Sequence, residues 1–163
     1  MPKKILVSAC LVGFNVRYNA SNKKVTNATL QRWQQEGRVV VCCPELAAGF
    51  STPRPPAEIA AAASGADVLA QQAKVIDAAG NDVTAPYLLG AQLALDTARL
   101  HDCRFALLSD RSPSCGSQII YDGSFNGKTQ PGHGVTAELL RQNGVEVFSE
   151  HQIDELIARV ESA

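Results

Sequence analysis

The 163-residue sequence has no apolar run approaching the roughly 18 residues of a membrane span. It has no excess of either charge: 15 Lys and Arg stand against 16 Asp and Glu, a formal net charge of -1. Such a chain has no broad basic footprint, so long nucleic acid is not an expected partner. The first residues, Met1-Pro2-Lys3-Lys4-Ile5-Leu6-Val7, hold too short an apolar segment for a secretory leader. A cytoplasmic location is therefore expected, where thiols stay reduced. The cysteines number five, an odd count, and no Cys-x₂₋₄-Cys knuckle occurs. Both facts weigh against a disulfide framework and a structural zinc site.

What is present suits one domain spanning residues 1–163. Its expected folded surface is about 7,800 Å². An apolar fraction of 45% can build a core, and a charged fraction of 19% argues against disorder. Short apolar runs alternate with helical patterns. That order predicts an α/β fold: a mostly parallel sheet covered by helices, Rossmann-like and three-layered. Strands are expected at 4–9 (KILVSA), 39–43 (VVVCC), 105–109 (FALLS) and 145–148, with a weaker one at 73–77. Helices are expected at 26–36, 84–100 and 135–142. A last helix follows Ser149-Glu150-His151-Gln152, a capping-box pattern. The Ala-rich stretch 59–63 reads as a helical turn. Segments 51–56 and 122–134, rich in Pro, Gly and Ser, read as loops.

Three cysteines share one context. Cys10 ends the first strand, Cys43 ends the second, and Cys115 lies just past the third. In a parallel sheet the carboxyl ends of strands line one crevice, where open α/β folds bind ligands. Three thiols far apart in sequence are thus expected to converge. Three thiolates can hold a cubane iron–sulfur cluster and leave one iron open as a Lewis acid. Cys42 and Cys103 lack this context. Alternation turns Cys42 away from Cys43, and both are expected in the core.

Several segments resemble, in order, those of the thiouracil desulfurase (TudS) family, formerly a domain of unknown function. They are Cys10-Leu11-Val12-Gly13 with Arg17-Tyr18-Asn19, Cys43-Pro44-Glu45, and Pro53-Arg54 with Glu58. Ser112-Pro113-Ser114-Cys115-Gly116, Tyr121-Asp122-Gly123-Ser124-Phe125 and Gly132-His133-Gly134-Val135-Thr136 follow. The likeness covers about residues 5–150. One position departs: Ser109 stands where the family usually has Lys. The resemblance implies a [4Fe-4S] cluster held by Cys10, Cys43 and Cys115. It also implies a non-redox reaction, in which a small thiolated uracil or its nucleotide loses sulfur to water. The thiocarbonyl sulfur would bind the open iron, and uracil and hydrogen sulfide would be the products.

Glu45, two residues after Cys43, is the candidate base for the attacking water. Ser112 is the candidate catalytic hydroxyl. Ser112 and Ser114 flank Pro113 and are expected to orient substrate or water. Arg17 and Arg54 are expected to grip a uracil carbonyl or a phosphate. Tyr18, Ser114 and Gly116 complete the expected substrate contacts. A backbone nest at Gly132-His133-Gly134, opening a helix, is a further candidate for an anion.

Rival readings fit less well. Gly127-Lys128-Thr129 lacks the spacing of a phosphate-binding P-loop, since only three residues separate Gly123 from Gly127. A thiol phosphatase would use Cys10 and Arg17, yet that reading leaves Cys43 and Cys115 unexplained. A non-enzymatic iron–sulfur sensor would have no use for Glu45 beside an open iron.

Overall fold

A computed structural model describes residues 3–163. In chain order the elements are β1 (Ile5–Ser8), α1 (Ala28–Gln35), β2 (Val39–Cys42), α2 (Pro44–Ala47), β3 (Ala57–Ile59), α3 (Gly65–Leu69) and β4 (Val75–Asp77). There follow α4 (Thr84–Leu100), β5 (Phe105–Leu108), β6 (Ile119–Tyr121), β7 (Thr129–Pro131), α5 (Val135–Gln142), β8 (Glu146–Ser149) and α6 (Ile153–Ser162). The solvent-accessible surface is 7859 Å², close to the expectation for this chain length.

Four strands form one parallel sheet in the order β2-β1-β5-β8. β1 and β5 occupy its centre and are buried on both faces, which is why each is an unbroken apolar run. Ile5, Val7, Phe105 and Leu107 meet Leu30 and Trp33 of α1 and Leu156 and Val160 of α6. Leu6, Ala106 and Leu108 project the other way, onto Leu95 and Ala98 of α4 and Ala137 and Leu140 of α5. The period-2 alternation of the strands thus produces three layers.

Local signals place the helix ends. Asn27 Oδ1 accepts the backbone N–H of Leu30 at 3.1 Å and starts α1. Ser149 and Gln152 cap each other's backbone just before α6. From β1 the chain crosses through α1 to β2 on one side, while β5 lies on the other side of β1. The strand order reverses there, so a crevice forms at the carboxyl ends of β1 and β5.

Several details differ from the sequence expectations. The fourth strand of the sheet is Glu146–Ser149, one residue later than expected. The weak strand at 73–77 becomes β4, which pairs antiparallel with β3 outside the main sheet. The Ala-rich stretch holds only a short 3₁₀ turn, Ala60–Ala62, wound through left-handed Ala61 and Ala62 with φ of 59° and 55°, and Ile59 belongs to β3. Segment 122–134 contains β7, paired antiparallel with β6. Among the described residues no helix is long and apolar enough to cross a membrane.

Candidate active site

A cavity of about 600 Å³ opens over the carboxyl ends of the sheet. Cys10, Cys43 and Cys115 all line it, each delivered by a different strand end. After β1 the chain tightens into a 3₁₀ turn, Ala9–Val12, which buries Cys10. The next loop folds back over this turn: Lys23 N–H donates to Cys10 O and Val25 N–H to Leu11 O, both at 2.9 Å. After β2, Cys43 is the extended residue that caps α2, with Pro44 in the first turn. Gly90 lets α4 press against α2 here, since a Cβ would stand 2.6 Å from Pro44 O.

After β5, buried Asp110 organises the loop that carries Cys115. Its Oδ1 accepts the N–H groups of Arg111 at 3.0 Å and of Ser117, Gln118 and Ile119 at 3.2 Å. Ser112 Oγ then accepts from Ser114 N–H at 3.0 Å and Cys115 N–H at 3.2 Å. With its acceptor side occupied, the Ser112 hydroxyl lines the cavity as a donor.

All five cysteines are free thiols. Burial, the largest influence, pushes the thiols of Cys10, Cys43 and Cys115 above their ordinary value, Cys115 most strongly. The Glu45 carboxylate pushes all three further in the same direction. The sulfurs do not gather closely enough to share one ion. Among the described residues the only such group with ligand atoms all within 4.8 Å is Asp110, Glu150 and His151. Its carboxylates are already engaged, Asp110 by the loop and Glu150 by Asp110 N–H at 2.8 Å and Lys23 Nζ at 3.2 Å.

Glu45 stands in the cavity wall with an ion-pair partner. Arg54 Nη2 meets Glu45 Oε2 at 2.8 Å, and the two side chains are only 6% and 14% exposed. Arg54 is anchored further by Nη1 to Val16 O at 3.0 Å and by its own N–H to Tyr18 O at 2.7 Å. Arg54, expected as a substrate contact, does line the cavity, and there its guanidinium also holds the Glu45 carboxylate and the loop carrying Val16 and Tyr18. Arg17 keeps its place at the rim, where Nη1 donates to Ser21 Oγ at 3.3 Å. Tyr18 also lines the cavity and is 39% exposed.

Two expected substrate contacts, Ser114 and Gly116, lie outside the lining. The Ser114 hydroxyl is buried against Thr136 Oγ1 at 2.7 Å. Gly116 is a packing position, since a Cβ would meet Ser112 O at 2.7 Å and Ile119 O at 2.8 Å. The Gly132–Gly134 nest also fails to face the cavity. Gly134, Val135 and Thr136 donate their N–H groups to Gly116, Pro113 and Ser114 carbonyls at 2.7–2.9 Å, so they hold the Cys115 loop and not an anion. Cys103 is core, as expected. Cys42 packs partly on the same core yet also lines the cavity, because β2 is an edge strand whose end is not sealed.

Sequence reasoning missed Lys23 and Tyr87 among the lining residues and gave no role to Glu58 and Phe125, which it named only within motifs. Glu58 had a signal in its neighbourhood, the Pro53–Pro56 segment. Its buried Oε1 accepts Gly123 N–H at 2.9 Å and Phe125 N–H at 3.2 Å, which presents Phe125 to the cavity. Lys23 had none.

The match to known proteins covers nearly the whole chain. A family model described as 2-thiouracil desulfurase matches residues 5–152. The uncharacterized protein YbbK of Bacillus subtilis (strain 168) is 44% identical over 153 residues, covering 94% of this chain and 99% of that protein. A solved structure, described as the [4Fe-4S]-dependent thiouracil desulfidase TudS, superposes with a TM-score of 0.89 at 43% identity, covering 99% of each chain. The chain belongs to the 2-thiouracil desulfurase family.

Proposed function

We propose that this protein carries a [4Fe-4S] cluster on Cys10, Cys43 and Cys115 and removes sulfur from a small thiolated uracil. The observation that carries the reading is the arrival of three free thiols, two buried and that of Cys43 half-buried, at one cavity from three strand ends, with Glu45 among them. The donor set fits the cluster. Thiolates are soft ligands suited to iron–sulfur chemistry, and three of them leave one iron open. Sulfurs too far apart for one ion suit a group with several metal atoms. When bound, such a cluster supplies a soft Lewis acid for the thiocarbonyl sulfur.

The chain's own residues do the rest. Overall, water supplies the carbonyl oxygen and two protons, the C=S bond becomes C=O, and hydrogen sulfide leaves without net electron transfer. Glu45, held by Arg54, takes a proton from the attacking water at its carboxylate. The Ser112 hydroxyl donates a hydrogen bond to the substrate or the departing sulfur. Tyr18 and Phe125 line the cavity and supply aromatic surface for a planar pyrimidine. The cavity volume falls in the range of small-ligand sites, roughly 300–1,000 Å³. Arg17 and Arg111 on its lining favour a substrate that also carries a phosphate, a thio-uridine monophosphate.

The test is sulfide release by anaerobically reconstituted protein given 2-thiouracil, 4-thiouracil and their nucleoside monophosphates. Cluster-dependent sulfide is expected, with lower KM for a nucleotide. A fully loaded protein that releases no sulfide from any of them would remove the desulfuration reading. Phosphate release by cluster-free protein would favour the phosphatase.

A further inference from the structure

The desulfuration reading leaves one carboxylate of the cavity without a task. Alternation along β3 sends Ile59 into the core with Val75 and Tyr87 and turns Glu58 to the cavity, where it is only 8% exposed. One of its oxygens is committed: Oε1 accepts Gly123 N–H at 2.9 Å and Phe125 N–H at 3.2 Å. The loop that supplies these donors is seated tightly on β3, since a Cβ at Gly123 would stand 2.5 Å from Ile59 O. The other oxygen, Oε2, has no hydrogen-bond or ion-pair partner among the described residues, and it is open to the cavity rather than sealed in protein. The neighbouring acidic side chains differ. Glu45 pairs with Arg54 and Glu150 with Lys23, while Asp110 holds four backbone N–H groups. A largely buried carboxylate oxygen requires a donor.

We propose that Glu58 Oε2 accepts the ring N3–H of the substrate and thereby selects uracil-type over cytosine-type rings. The inference rests on the desulfuration reading above and names which pyrimidines that site takes. Both thiouracil isomers and their nucleotides carry a hydrogen on N3, between the two carbonyl or thiocarbonyl carbons. A cytosine-type ring has a lone pair at that position, which a carboxylate repels. The bond to a carboxylate is charge-assisted and so discriminates more strongly than a neutral pair. Phe125, whose N–H Glu58 holds, lines the same cavity. One carboxylate therefore fixes an aromatic surface for the ring and an acceptor for its edge. The N3–H is the same before and after C=S becomes C=O, so this contact acts on KM and little on kcat.

The test is Glu58→Gln in anaerobically reconstituted protein. Its amide oxygen still serves Gly123 and Phe125, so the loop keeps its anchor, and its NH₂ group takes the place of Oε2: an acceptor becomes a donor. Sulfide release is measured with 2-thiouracil, 4-thiouracil, their nucleoside monophosphates and 2-thiocytosine. Binding of uracil and 3-methyluracil is measured by calorimetry, a readout that needs no turnover. The parent is expected to favour 2-thiouracil over 2-thiocytosine and uracil over 3-methyluracil. In Glu58→Gln the KM for the thiouracils rises about 10–100-fold, the scale of one charge-assisted hydrogen bond, and both preferences shrink or reverse. Parent preferences retained in Glu58→Gln, or a KM that rises equally for every ring, would leave Glu58 a loop anchor only and overturn the proposal. A loss confined to the nucleotides would place Oε2 on a ribose hydroxyl and overturn it as well. A parent that releases no sulfide removes the desulfuration reading, while the uracil pair still decides the role of Glu58; a parent that binds both rings equally, or neither, overturns that role.

Discussion

Cys103 and Cys115 flank the same strand, β5, and each is 5% exposed. Cys103 precedes the strand and touches the apolar layer of α4 and α5. Burial, as the main influence, lifts its thiol to about 11. Cys115 follows the strand. Burial lifts its thiol too, but Glu45, Cys43 and Cys10 add to the shift and the Ser8 hydroxyl opposes it. Equal burial therefore says nothing about role. The polarity of the parallel sheet separates the two: its carboxyl edge gathers thiols from several strands at one cavity, while Cys103, at the other end of β5, stands without a second thiol beside it.

The largest expected effect breaks the comparison at Cys115. Replacing it with Ser removes a hard-won soft ligand from the cavity, and the reconstituted protein is expected to lose its cluster absorbance and most of its iron. Cys103→Ala keeps both. Next comes Glu45→Gln, expected to lower sulfide release by about 10²–10⁴-fold with iron content unchanged, since only proton transfer is removed. Full activity in the loaded variant would exclude Glu45 as the base.

Arg54→Met ranks third. It leaves the Glu45 carboxylate in a largely buried site without its partner, at a cost of roughly 3 kcal/mol in denaturant unfolding. Turnover should fall with it, because the carboxylate loses its orientation. An unchanged midpoint would show that the pair contributes nothing to the fold.

The smallest effects concern packing and pH. Cys103→Ala should cost roughly 1 kcal/mol, the scale of an ordinary core truncation. In cluster-free protein the folded thiols titrate above the ordinary 9.0, that of Cys42 near 12. Above pH 9 the unfolded chain therefore binds fewer protons than the folded one, and stability falls as pH rises toward 11–12. Thermal melts across this window should show the decline, and Cys42→Ala should flatten it. A parent melting temperature independent of pH there would contradict the burial of these thiols.

The fold was legible where periodicity is strong. KILVSA and FALLS are continuous apolar runs because β1 and β5 are covered on both faces, and the Ser149–Gln152 box announces the final helix. Of the small pairs only β4 left a weak signal, at 73–77; β3, β6 and β7 were illegible because three-residue strands set by long-range contacts carry no local period. In the site, Cys10, Cys43 and Cys115 were readable from strand ends alone. The places of Ser114 and Gly116 outside the lining were not. Ser112-Pro113-Ser114-Cys115-Gly116 looks uniformly polar and small, yet Ser112 faces the cavity while Ser114 turns to Thr136. Lys23 reaches Ser109 across 86 residues of sequence, a contact that no motif encodes.

The most direct test is the iron and sulfide content and the absorbance near 400 nm of anaerobically reconstituted parent protein beside single Ser variants of all five cysteines. The expected result is a brown, cluster-bearing parent whose colour and iron are lost at Cys10, Cys43 and Cys115 and kept at Cys42 and Cys103. A colourless parent, or a loss that follows Cys42 or Cys103 as closely as the other three, would contradict the assignment of the three strand-end thiolates.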